Sequence, residues 1–207
     1  MESIRDLASS AARPDDSCMN VQRVLVPLAD GFEEIEFTTI VDVLRRADLH
    51  VTTAALVPGP VRGAHGITMT ADVDWASIDP TAFDALVLPG GQPGTRNLAA
   101  DVRVLDAVRS FAASARPVAA ICAAPTVLHA AGILAGRTAT AFPSVRGSLV
   151  GVRVVADRAV VRDANVTTSQ GAGTAMAFAL DLVAQWCGRA RADELADSMI
   201  VREFPRV

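Results

Sequence analysis

The sequence predicts a doubly wound α/β sandwich, a mostly parallel sheet with helices on both faces. Three observations carry this expectation. Short runs rich in Val, Ala and Leu alternate with segments of helical period along the chain. The runs are apolar throughout, as in strands covered on both faces, and do not alternate as half-solvated strands do. Apolar residues make up 51% of the chain but aromatics only 4%, a mixture that suits small-residue helices packed closely on a Val-rich sheet.

The elements follow in order. "RVLVPLA" (23–29) reads as the first buried strand, and a helix-period segment runs from Glu33 to Ala47. "HVTTAALV" (50–57) is a second strand, and "PVRGAHGITMTAD" (60–72) a glycine-broken pair of short ones. "FDALVLPGG" (83–91) is a strongly apolar strand closed by a Pro-Gly-Gly turn. A helix over 101–115, the strand "PVAAI" (117–121) and a helix over 124–131 come next. Short strand pieces near 138–141, 152–155 and 159–162 precede "NVTTS" (165–169), and helices over 174–186 and 190–202 close the chain. In such a sheet, sites form beyond the C-terminal ends of the strands.

The 207 residues fit one domain over 21–207 behind a polar tail, 1–20, expected to be disordered. The tail lacks an apolar core segment and carries Glu2, Asp6, Asp15 and Asp16, which argues against a secretory or transit signal. A net charge of −4 and the lack of a basic patch interleaved with aromatics speak against nucleic acid as a partner. No apolar run is long enough to cross a bilayer, so a soluble protein is expected. Three cysteines, Cys18, Cys122 and Cys187, stand at no metal-ligand spacing, and their odd number points to reduced thiols in the cytoplasm.

Three predicted strand ends carry unusual chemistry. Cys122 follows "PVAAI" directly, and Pro125 suits the first turn of the next helix. Unpaired backbone N–H groups at such a turn, with the helix dipole, favour thiolate. The competing reading is a small buried hydrophobe, as free cysteine often is. On the first helix, Asp30 and Glu33 have capping-box spacing, and Glu34 shares a polar face with Thr38, Asp42 and Arg45. Glu36 instead shares the apolar face of Phe32, Ile40, Val43, Leu44 and Ala47. Burial there resists ionisation, and a protonated carboxyl beside a thiolate can donate to sulfur and shuttle a proton; the alternative is an acid snorkelling at a helix end. Gly90 and Gly91 let backbone approach a ligand, and the Gly91 and Ala123 N–H groups together form a candidate oxyanion site.

These pieces together resemble the ThiJ/PfpI superfamily, in the branch of the Parkinson-linked protein deglycase and bacterial ThiJ/YajL. The matching stretches are "LADGFEEIE", "VLPGG", "ICAAP" and "TTSQGAGTAMAFAL", in the family's order over most of 21–190. The resemblance implies a flavodoxin-like fold, a homodimer, Glu36 as the acid, Cys122 as the reactive cysteine, and Gly91 and Ala123 as oxyanion donors. It departs at one point. Relatives of the peptidase and glyoxalase type carry a histidine where "TATAFPS" has Phe142, so no imidazole base stands there, which weakens a peptidase reading. His129 reads as an ordinary helix residue and His50 as a surface one. His65, in "GAHGI", lies in a loop that in relatives is near both the dimer interface and the active site.

Two function classes are open at this stage. One is a glyoxalase or deglycase, needing no cofactor or metal, that acts on methylglyoxal-type oxoaldehydes or their protein adducts. The other is a redox-responsive protective chaperone whose Cys122 is oxidised to sulfinate.

Overall fold

A computed structural model describes residues 21–202. The expectations for the tail 1–20, Cys18 included, and for 203–207 lie outside the described residues.

The strands are β1 (Arg23–Leu28), β2 (His50–Ala55), β3 (Val61–Arg62), β4 (Thr68–Met69), β5 (Val73–Asp74), β6 (Ala85–Leu88), β7 (Val118–Ile121), β8 (Thr138–Ala139), β9 (Arg153–Val154), β10 (Val160–Asp163) and β11 (Val166–Ser169). The α-helices are α1 (Glu34–Arg46), α2 (Gly94–Ala100), α3 (Val102–Ala113), α4 (Pro125–Ala130), α5 (Ala175–Cys187) and α6 (Arg189–Ser198). A seven-stranded sheet runs β10-β11-β7-β6-β1-β2-β5. Every pairing in it is parallel except β10 with β11. β2 lies on one side of β1 and β6 on the other, so the winding reverses between β1 and β6. That reversal opens a crevice at the C-terminal edge.

The apolar runs are continuous because both faces are covered. Val24, Val26 and Leu28 of β1 join one core with Ile40, Leu44, Phe178 and Leu182 from α1 and α5. Leu25, between them, joins the other with Leu86, Val108, Phe111 and Leu128. Period-two alternation thus sends neighbouring residues to different apolar layers.

Besides short 3-10 turns at Trp75–Ser77, Pro80–Ala82 and Pro143–Ser148, α2 and β5 escaped the sequence reading. α2 begins at Gly94 within a Pro-Gly context that reads as turn, and Asp101 then breaks the chain by taking an extended conformation (φ −90°, ψ 111°) and capping α3 through Arg103 N–H. β5 is only two residues long and borders β2 through Val73 and Asp74, too short for a periodic signal.

Candidate active site

Cys122 leaves the end of β7 with φ of +64°, a left-handed conformation that is uncommon outside glycine. Two bonds hold it there: its N–H donates to the Ser169 carbonyl (3.0 Å), and its carbonyl accepts from Phe142 N–H (2.8 Å). The small turn Ala123-Ala124 leads into α4, with Pro125 at its start. This is the sharp strand-to-helix elbow that presents a nucleophile in other α/β proteins.

Glu36, in the first turn of α1, is fully buried. Its Oε2 accepts from Gly90 N–H at 2.9 Å, while Oε1 has no hydrogen-bond partner. Gly90 binds the site together sterically as well. A Cβ there would stand 2.5 Å from both Cys122 Cβ and Glu36 Oε2, closer than real contacts allow. Thiol, carboxyl and glycine therefore share one small space. The expectation for Gly90 as a substrate-facing donor is corrected: its amide is taken by Glu36.

Burial pushes the Glu36 carboxyl up to about 7; the Glu33 charge adds to the rise, while the Cys122 and Gly90 hydrogen bonds oppose it. Burial also pushes the Cys122 thiol up to about 12, reinforced by the charge and hydrogen bonding of Glu36, and the Gly91 and Ala123 N–H groups pull it down without prevailing. This corrects the expectation that the turn by itself favours thiolate. α4 is only six residues long, so its dipole is weak. Thiol and carboxyl act as one titrating pair. When Glu36 holds the proton, its repulsion of the sulfur vanishes and the two N–H groups have only burial to oppose; when Glu36 is ionised, the proton stays on sulfur.

The neighbouring acids differ from their sequence reading. Glu33, not Asp30, caps α1, accepting from Glu36 N–H at 2.7 Å. Asp30 instead accepts from Arg62 N–H (2.8 Å), tying the β1–α1 loop to β3. Glu34 is not solvated but 5% exposed. It accepts from the N–H groups of His65 (2.7 Å) and Ile67 (3.3 Å) and pairs with His65 Nδ1 (2.9 Å). Helix periodicity could not show this, because the cover comes from the β3–β4 hairpin. His65 therefore meets Glu34 rather than Cys122. Glu33, Glu34 and His65 have ligand-type atoms within 4.8 Å of one another, but these bonds already satisfy most of them.

Two further residues border the site. Phe142, 44% exposed, stands beside the cysteine backbone. Gly171 lies between: a Cβ on it would be 3.3 Å from the Phe142 ring and 3.9 Å from Glu36 Oε1. His129 lies on α4 with Nε2 at 2.9 Å from the Val150 carbonyl, and Trp75 and Trp186 are packed in the core.

An open parallel sheet with a thiol on a strained elbow and a buried acid opposite defines a class of cysteine-centred α/β proteins. Residues 22–185 match the model of the DJ-1/PfpI family, and the chain belongs to that family. It is 40% identical over 179 residues to protein dj-1beta of Drosophila melanogaster, covering 86% of this chain and 96% of that one. The crystal structure of Drosophila DJ-1beta superposes with a TM-score of 0.85 at 38% identity, over 88% of this chain and all (100%) of that one. A protein of Pyrococcus abyssi named as a deglycase is 32% identical over 162 residues, 78% of this chain and 97% of its own. Toxoplasma gondii DJ-1, described as oxidized, has a TM-score of 0.83 at 29% identity, over 88% of this chain and 100% of its own.

Proposed function

We propose that the protein is a cysteine-dependent glyoxalase or deglycase that acts on methylglyoxal-type oxoaldehydes or their protein adducts. The observation that carries this reading is the buried Glu36 carboxyl beside Cys122, its own value pushed up to about 7, with two backbone N–H groups directed at the sulfur. Relatives named as deglycases support it from outside.

The Cys122 thiolate attacks the aldehyde carbon, and the carbonyl electron pair moves to oxygen. Gly91 and Ala123 N–H groups hold that alkoxide, and the Glu36 carboxyl protonates it, giving a hemithioacetal. The Glu36 carboxylate then removes the hydrogen on the attacked carbon, and the electron pair moves to the neighbouring carbonyl oxygen, forming an enediolate. The hemithioacetal hydroxyl proton passes to that oxygen while Glu36 returns its proton to the adjacent carbon, which gives a lactoyl thioester, and water releases lactate and the thiol. Every proton step needs only one group with a value near the working pH. Phe142 supplies no acid to protonate a leaving amine, which disfavours peptide cleavage.

A second reading is supported by the relative described as oxidized. Peroxide oxidises the Cys122 thiolate through sulfenate to sulfinate, being itself reduced to water, and the Glu36 carboxyl donates to a new oxygen. A homodimer and a reducing cytoplasmic setting belong to the same proposal. Ile35 and Ile67, 58% and 57% exposed around the Glu34–His65 bond, offer an apolar face for a second copy.

The test compares lactate formation from methylglyoxal in the wild type, Cys122→Ser and Glu36→Gln. Loss of turnover by about 10²-fold or more in both variants is expected. A wild type that forms no lactate but takes up two oxygen atoms on Cys122 from dilute peroxide overturns the enzyme reading and leaves the redox one.

A further inference from the structure

We infer that Phe142, backed by Gly171, is a specificity wall that favours oxoaldehydes bearing an aryl group on the ketone carbon over methylglyoxal. The inference rests on the aldehyde reading above and adds the substrate class to it.

Attack by sulfur makes the aldehyde carbon tetrahedral, with four substituents to place. Sulfur is one. The oxyanion faces the Gly91 and Ala123 N–H groups, and the hydrogen to be abstracted faces Glu36, whose Oε1 is buried without a partner. The acyl group takes the remaining direction, toward the mouth, and there the boundary is Phe142 and Gly171. The Phe142 ring is 44% exposed, so part of an apolar face is left uncovered beside the cysteine backbone.

The ring stands on a fixed base. Phe142 N–H donates to the Cys122 carbonyl (2.8 Å), and the Phe142 carbonyl accepts from Val145 N–H (3.0 Å). Arg146 ties the two walls together, donating to the Ala141 carbonyl (2.8 Å) and to Gln170 Oε1 (3.2 Å). Gly171 has no side chain to fill the gap, since a Cβ there would press on the ring at 3.3 Å. A half-exposed ring held in this way suits a flat, apolar substituent. It offers a methyl group little contact.

The experiment measures kcat/KM for phenylglyoxal and for methylglyoxal in the wild type, Phe142→Ala and Phe142→Leu. A ring-on-ring contact is worth roughly three- to tenfold, so the phenylglyoxal-to-methylglyoxal ratio should fall by about that factor in Phe142→Ala. It should fall less in Phe142→Leu, which keeps apolar bulk and serves if the alanine variant does not fold. A second arm needs no turnover: the rates of Cys122 alkylation by phenacyl bromide and by iodoacetamide, whose ratio should fall in parallel. A falling alkylation ratio without aldehyde turnover in any protein keeps the wall and removes the aldehyde reading. Ratios that stay at the wild-type value in both arms overturn the inference.

Discussion

Glu34 and Glu36 stand two residues apart at the start of α1, both buried, yet their carboxyls shift in opposite directions. Two positions are about 200° around a helix, so the side chains leave on opposite sides. Glu36 enters the crevice and meets one backbone donor, Gly90 N–H, and the Cys122 thiol, with Oε1 left bare. Glu34 enters the β3–β4 hairpin and meets two amides and an imidazole. Desolvation works to raise both. At Glu34 the His65 ring and the amides outweigh it and hold the carboxyl below its usual range, whereas at Glu36 burial prevails. Burial alone therefore does not decide the charge of an acid; the number of donors turned toward it does. One carboxylate is satisfied and ties two elements together. The other is left short of donors and able to exchange a proton.

The largest expected effect follows from the sign of the Glu36 shift. Its folded value, about 7, lies above the ordinary 4.5, so the folded state binds the proton more tightly. Stability should fall as pH rises from about 4.5 to about 7 and then level off, by about 3 kcal/mol in all. Glu36→Gln keeps the shape of the protonated acid without the ionisation. Unfolding free energies from urea titrations at pH 5 and pH 8 should therefore lie closer together in the variant than in the wild type by most of that amount. An equal spread in both proteins would mean that another group carries the pH dependence.

Each acid is faced by a glycine, which allows the comparison to be broken on either side. A Cβ at Gly90 would overlap Glu36 and Cys122, and one at Gly63 would overlap the Glu34 carboxylate. Both alanine variants should lose about 1–3 kcal/mol from overpacking. Only Gly90→Ala should also change the pH profile of Cys122 alkylation by iodoacetamide, because it alone displaces the coupled pair. If Gly63→Ala alters that profile as strongly, the two acids are not independent.

How much of this could be read from the chain depends on whether the cause was local. Periodicity along α1 shows that Glu36 faces the core, and a thiol ending an apolar strand marks the elbow at Cys122. The continuous apolar runs give the parallel sheet because burial on both faces leaves that trace in the sequence. The same periodicity misleads at Glu34, whose cover comes from a hairpin about thirty residues on. The apparent capping pair of Asp30 and Glu33 fails for a similar reason, since Arg62 N–H draws Asp30 away. Donor counts around a buried acid are a tertiary quantity, as the fate of the Gly90 amide shows. The wall formed by Phe142 and Gly171 joins loops 29 positions apart, and no local pattern announces it.

The smallest expected effect concerns the satisfied acid and the direction of its own titration. Hydrogen bonding to Glu34 is the main cause that raises the His65 imidazole above its ordinary 6.5, with the Glu34 charge adding to it. Since the folded value is raised, this contribution to stability is complete below about 6.5 and is lost as pH rises through the folded value. Glu34 has the opposite sign: its contribution is present above 4.5 and is lost as pH falls through its lowered folded value. The pair is therefore strongest between those limits, in mildly acidic solution. The His65 side chain is 72% exposed, so solvent screens the interaction and the effect on stability should be well below that of Glu36. Titration of the His65 ring protons by NMR reads it directly. In Glu34→Gln the ring should titrate closer to 6.5 than in the wild type, while the Cys122 alkylation profile keeps its Glu36-dependent step. A His65 titration unmoved by Glu34→Gln would place the source of its shift at Glu33, whose carboxylate lies 3.9 Å from Nδ1.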